Sequence, residues 1–218
     1  MCAACRKRRI FKPPQLLLLG YVLIAFAGAI LLSLAISSAN GSAQGFLDAL
    51  FVSTSGISTT GLSPVDIGGF YSRFGQIVLL AIFQIGGIGY MTFIIFMMHF
   101  LGIRGSIAIG LVAQQSLAGS TNGVLRKFFL GVHAYTFRYE VAGAVILALF
   151  WMGEYGAHRA IYLGVFHSIS AFCTAGFGLF PDSLMHYREN VLVNAVVITL
   201  SLAGGIGFIV LRDLMSYF

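Results

Sequence analysis

The sequence predicts an all-α integral membrane protein: two tandem repeats of membrane helix, pore helix and membrane helix, or four transmembrane helices and two re-entrant pore helices. Three observations lead there. Of the 218 residues 58% are hydrophobic and only 9% charged, and the mean hydropathy of +0.92 lies above what a soluble domain of this length carries. Three stretches, Gln15 to Ala39, Phe74 to Ile103 and Val191 to Leu211, lack Asp, Glu, Lys and Arg over a length sufficient to cross ~30 Å of hydrocarbon as a helix. Finally, a polar, glycine-bearing segment recurs at a nearly fixed offset.

The order along the chain starts with a basic tail, residues 1–14, holding Arg6, Lys7, Arg8, Arg9 and Lys12. The first span follows, and its apolar run is too long for the core of a signal peptide. Next comes Phe46 to Val52, which reads as a short apolar helix that enters the membrane without crossing it. Asp48 in its first turn is favoured by the helix dipole. Ser53 to Gly61 then brings six Ser or Thr residues and two Gly, read here as loop chemistry at membrane depth. The second span closes a first repeat over 15–100. Residues 101–127 read as a cytoplasmic connector. A second repeat, 128–218, has a span from Phe128 to Gly153, a short helix around Ala160 to Ala171, the loop Phe172 to Phe177, and a last span.

The repeats align without a gap across the short helices. Phe51 falls on Phe166, Ser53 on Ser168, Ser55 on Ser170, Thr59 on Thr174 and Gly61 on Gly176, each 115 residues apart. Gly86-Gly87-Ile88-Gly89 matches Gly204-Gly205-Ile206-Gly207 at an offset of 118. Two landmarks at almost one offset mark a duplicated unit.

The net charge of +6 does not point to nucleic acid, since five of the thirteen basic residues sit in the first twelve positions. With that tail cytoplasmic, alternating spans put Arg104, Arg126, Lys127 and Arg212 inside as well, which satisfies the positive-inside rule. Both termini are then cytoplasmic, in a multi-pass protein of the plasma membrane. Asp48, Asp66, Glu154, Asp182 and Glu189 fall outside, where they concentrate cations mildly. Cys2 and Cys5 lie in the tail and Cys173 in a membrane segment, so no disulfide framework is expected; two thiolates also leave a zinc site half filled.

Irregular backbone at membrane depth is tolerated only where it is buried in protein or lines a water-filled path. A re-entrant helix followed by such a loop is the pattern of a selectivity filter, in which backbone carbonyls replace the hydration shell of a cation. Ser58-Thr59-Thr60-Gly61 and Cys173-Thr174-Ala175-Gly176 are the segments expected to supply them, with glycine permitting the necessary backbone angles. A single Thr-x-Gly is weak, because Ser, Thr and Gly populate ordinary loops; its duplication before Gly-Gly-Ile-Gly strengthens it.

On these residues, together with Gln84-Ile85 and His167 to Phe177, the chain resembles the membrane subunit of the Trk/Ktr/HKT cation transporters. The resemblance implies a potassium pathway, with K+ the transported ion and no resident cofactor. In that family four such units in one polypeptide surround one pore, so this chain is expected to be half of a pore, either a fragment or one half of a dimer or of a complementary pair. A glycine in each filter loop goes with potassium preference there, and Gly61 and Gly176 both fit. The resemblance also implies a cytoplasmic nucleotide-binding regulatory partner, besides lipid.

Other readings are weaker. Gly86, Gly87, Gly89, Gly204, Gly205 and Gly207 are expected to let helices pack closely, with a bend below the filter as a hypothesis. Gln84 and Asn194 are expected in interhelical hydrogen bonds. Glu140, near the start of the third span, is expected in a structural pairing, while Arg138 snorkels to the surface. His99, His133, His167 and Cys173 lack the partners of a haem or nucleophile site, so an enzyme is not expected. A non-conducting structural subunit is the alternative.

Overall fold

A computed structural model describes residues 13–89 and 122–206. Helix α1 runs Pro13–Ser33, followed by a 3-10 turn Ala35–Ser37; then come α2 (Phe46–Ile57), α3 (Ile67–Phe70), α4 (Arg73–Gly87), α5 (Asn122–Tyr155), α6 (Ala157–Phe172), a 3-10 turn Met185–Tyr187 and α7 (Val191–Gly205). Among the described residues there is no strand beyond one bridge, Ser38 with Tyr71. One described helix segment, Leu130–Tyr155, is long and apolar enough to cross a membrane, and Leu18–Ser33, Phe46–Ile57, Arg73–Gly87 and Val191–Gly205 are shorter apolar helices. The basic tail through Lys12, the far part of the second span, the connector up to residue 121, and Gly207 with the chain beyond it lie outside the described residues.

The helix bounds correct two sequence expectations. Ser53 to Ile57 belong to α2 and not to a loop. Isolated serines favour turns because their hydroxyls compete for local backbone groups, but here the hydroxyls have distant partners: Ser53 Oγ donates to Ala25 O (2.8 Å), and Ser55 Oγ accepts from Leu62 N (2.8 Å). At the start of the second half, Asn122 to Lys127 are already helical, so the helix begins inside what composition assigns to the connector.

Packing joins both halves of the chain in one core. Helix α1 lies on α2, α2 on α4, α5 on α6, α6 on α7, and α4 touches α6. Phe83 of α4 meets Phe166 of α6 edge-on (5.7 Å between ring centres) and stacks on Phe177 (5.9 Å). These buried rings knit the halves together through an arrangement that aromatic quadrupoles favour. A second cluster, with Leu147, Trp151, Leu163, Tyr187 and Val193, backs α6 from the other side. The outer surface is apolar: Leu47, Val145, Leu149, Val191, Ile198 and Leu202 are all exposed, a distribution suited to hydrocarbon rather than water.

Polar loops close the ends of the helices. The Asp66 carboxylate caps α3 through Gly68 N and Gly69 N (3.1 Å each). Tyr71 donates to Gln44, and burial pushes its phenol up to about 12, with the Gln44 bond opposing the shift. Asn194 corrects its expectation: its amide donates to Tyr187 O, Arg188 O and Asn190 O, fastening the loop that leads into its own helix instead of bridging two helices.

Candidate functional site

Helices α2 and α6 end in the same way. Each stops one residue before the four-residue segment singled out above, at Ile57 and Phe172. Thr59 N donates to Gly56 O and Thr174 N to Ala171 O (both 3.1 Å); Thr60 N donates to Ser55 O (2.9 Å) and Ala175 N to Ser170 O (2.8 Å). These bonds wind the chain past the helix end into the left-handed region. Thr59 and Thr174 both have φ 52, Gly61 has φ 80 and Gly176 φ 74. Positive φ in a β-branched residue is a strained outlier, and it occurs twice at matching positions.

The two turns touch. A Cβ on Gly61 would lie 2.5 Å from Ala175 O and 3.0 Å from the Gly176 Cα, and one on Gly176 would lie 3.4 Å from the Gly61 Cα. Glycine is therefore required at position 61 for both space and backbone angle. Of the eight residues, Ser58, Thr60, Thr174 and Gly176 are exposed, Thr59 and Gly61 are half-buried, and Cys173 and Ala175 are buried. Two of the hydroxyls are turned toward local backbone, Ser58 Oγ donating to Thr54 O (2.8 Å) and Thr174 Oγ1 to Cys173 O (2.7 Å), while Thr60 Oγ1 lies 2.7 Å from Ser58 Oγ.

Anchors beneath the turns also come in pairs. Ser53 Oγ donates to Ala25 O (2.8 Å) and Ser168 Oγ to Glu140 O (2.7 Å), so each short helix is tied to the long helix before it. Ser55 latches Leu62 through its amide N–H, and Ser170 latches Phe177 through its carbonyl (2.7 Å). Gly28 and Gly143 make room for the anchoring serines: a Cβ there would lie 2.3 Å from Ser53 Oγ and 2.6 Å from Ser168 Oγ. Sequence reading missed these two glycines as well as the anchoring role of the serines. Their 115-residue spacing was the signal that would have found them.

The glycine pairs divide by role. A Cβ on Gly86 would sit 2.2 Å from Ile57 O, and one on Gly204 only 1.8 Å from Phe172 O, so both glycines admit the carbonyl end of a short helix. Gly87 faces Cys173, at 2.5 Å from its Cβ, whereas among the described residues Gly205 faces nothing within 4 Å. Gly89 has φ 88 and its N–H donates to Gly86 O (3.0 Å), the left-handed stop of α4.

Where the second turn meets α4, Gln84 Nε2 donates to Glu140 Oε1 (2.8 Å) and Gln84 Oε1 accepts from the Cys173 thiol (3.4 Å). Toward the loops, Tyr162 Oη donates to Gln76 Oε1 (2.6 Å) and the Arg73 guanidinium lies over the Tyr162 ring (3.9 Å). Behind the second turn, His167 is buried, with Nδ1 2.8 Å from Leu163 O and Nε2 accepting from Leu179 N (3.2 Å). It is a fastener between α6 and the following loop, and Trp151 and Phe180 pack on its ring. Among the described residues no cluster of His, Cys, Asp and Glu is arranged to hold a metal ion.

Among the described residues, helices with apolar outer faces that carry two paired polar turns are consistent with a membrane transport protein. The chain belongs to the cation transport protein family (TrkH), which it matches over residues 20–217; that family is one of transporters and not of enzymes. It is 38% identical over 210 residues to the Ktr system potassium uptake protein B of Bacillus subtilis, covering 94% of this chain and 46% of the relative. It is 33% identical over 212 residues to the potassium/sodium uptake protein NtpJ of Enterococcus hirae, covering 97% and 47%. The Vibrio alginolyticus Ktr system potassium uptake protein B is 35% identical over 204 residues, covering 94% and 44%. The chain thus spans about half the length of the curated relatives it matches.

Proposed function

We propose that this chain carries potassium ions across the plasma membrane as two of the four units of a carbonyl-lined pore. Residues 58–61 and 173–176 are the two filter segments, and α2 and α6 are the re-entrant helices that aim their negative ends at the ion. The observation that carries this reading is the meeting of Gly61 with Ala175 and Gly176 between turns of matching left-handed geometry. A folded loop has no need of two strained threonines at equivalent positions, but a row of carbonyls facing one axis does.

The half-pore element rests on an asymmetry. Among the described residues, Cys173 is buried against Gly87, while Ser58, its equivalent in the first unit, is exposed and has no such neighbour; likewise Gly87 is occupied and Gly205 meets no described neighbour. If units follow one another around an axis, these are the two free ends of an open arc. Two further units complete the coordination shell, from a longer chain, a second copy or a complementary half. The relatives' names supply potassium as the ion. The placement of the basic residues adds cytoplasmic termini, and the resemblance adds a cytoplasmic nucleotide-binding regulatory partner. The test is potassium uptake in cells lacking their own uptake systems, with the chain in its conducting assembly. Gly61→Ser or Gly176→Ser should lower the preference for potassium over sodium, and an unchanged preference in a conducting assembly would reject the filter assignment.

A further inference from the structure

Helix α4 of the first unit reaches across to the second and touches its turn at one polar point. Gln84 has no counterpart in the second unit, where the position 118 residues on is Leu202; Glu140 matches Ala25, and Cys173 matches Ser58, each 115 residues apart. The residues of this bridge therefore have no equivalents in the other unit and lie outside the duplicated plan.

The chemistry of the bridge fixes its direction. A carboxyl oxygen of Glu140 accepts from Gln84 Nε2 (2.8 Å), which leaves the amide oxygen to face the Cys173 thiol (3.4 Å). With the carboxyl ionised, a reversed amide would set two oxygens against each other. Cys173 is buried and wedged against Gly87, whose built Cβ would fall 2.6 Å from the sulfur. Glu140 therefore holds α6 at two places: its own carbonyl accepts from Ser168 Oγ (2.7 Å), and its side chain, through Gln84, reaches the residue that opens the second turn. Discrimination between alkali ions depends on where the carbonyl dipoles stand and how stiffly they are held.

We infer that Gln84 is a positioning residue for the second filter segment, a cross-unit amide that sets ion selectivity by clamping Cys173 to Glu140. This rests on the filter reading above. The test is the potassium-over-sodium preference of the conducting assembly, measured for Gln84→Leu, Glu140→Leu, Glu140→Gln and Cys173→Ala, with Gly176→Ser alongside. Gln84→Leu, which installs the residue found at the equivalent position of the second unit, should lower the preference about 5-fold, the scale of one interhelical hydrogen bond. Glu140→Leu should do the same, whereas Glu140→Gln, which keeps an acceptor oxygen, should recover most of it. A purely structural bond would change the amount of protein in the membrane and the maximal uptake rate but leave the ion ratio alone. That result, with Gly176→Ser shifting the ratio, overturns the inference and spares the filter. If Gly176→Ser also leaves the ratio unmoved, the filter reading fails and takes this one with it. Should Gln84→Leu not reach the membrane, Cys173→Ala removes only the thiol donor, and an unaltered ratio there refutes the clamp equally.

Discussion

Consider Gly204→Ala. The new Cβ would stand 1.8 Å from Phe172 O and 2.9 Å from its carbonyl carbon, against an ordinary carbon–oxygen contact of ~3.3 Å. About 1.5 Å must therefore open between α7 and the end of α6. The obstructing atom is main chain, so no rotamer change relieves it. Nor can α6 retreat toward α5, because at Gly164 those two helices already stand so close that a Cβ would meet Ala144 O at 2.6 Å. Overpacking of this kind costs roughly 1–3 kcal/mol, and the contact lies at the rigid end of the range. At ~2–4 °C per kcal/mol for a chain of this size, the upper end of that range is a fall in Tm of roughly 6–12 °C, read by thermal unfolding in detergent. Gly153→Ala is the control: none of the described residues lies within 4 Å of a Cβ there, and alanine adds up to ~1 kcal/mol of helix propensity. Equal melting of the two variants would show that α7 does not press on the Phe172 carbonyl, and the account of the Gly-Gly pair would fail.

Other outcomes follow from the same geometry. Ser53→Ala and Ser168→Ala should each lower stability by about 1 kcal/mol in thermal unfolding, the scale of a single buried hydrogen bond, because each removes the tie at 2.8 Å or 2.7 Å from a short helix to the preceding long one. Thr59→Gly and Thr174→Gly relieve a left-handed φ of 52, so stability should hold or rise while potassium preference in an uptake assay falls; a loss of stability without a change in preference would contradict the strain argument. Gly205→Ala should not lower the melting temperature of this chain, since among the described residues its Cβ meets nothing within 4 Å, yet it should reduce uptake by the conducting assembly. Unimpaired uptake would argue against a further unit at that face.

Much of the backbone plan was legible in the chain, and the reason differs from element to element. Charge-free apolar runs are long-range signals that no single neighbour can override, which is why the helices at Pro13–Ser33 and Val191–Gly205 stand where hydropathy puts them. The second short helix was expected around Ala160 to Ala171 and occupies Ala157–Phe172. The first was cut short at Val52, because a run of serines reads as a loop until one knows that Ala25 O and the Leu62 amide wait for their hydroxyls. Asn194 misled in the opposite sense: a lone amide in an apolar helix suggests a partner on another helix, and its partners are the carbonyls of the loop just before it.

By itself, then, the sequence determined the helical class, the family and the pairing of positions between the halves, because solvent and duplication write themselves into hydropathy and spacing. Only the tertiary structure decided that Gly61 abuts Ala175 and Gly176, that Gly204 admits the Phe172 carbonyl while Gly205 meets none of the described residues, and that Gln84 joins Glu140 to Cys173. Those facts depend on which backbones approach within a methyl group's width of one another. Such close approach is a property of packed helices in three dimensions, and glycines in identical sequence contexts meet opposite fates by it.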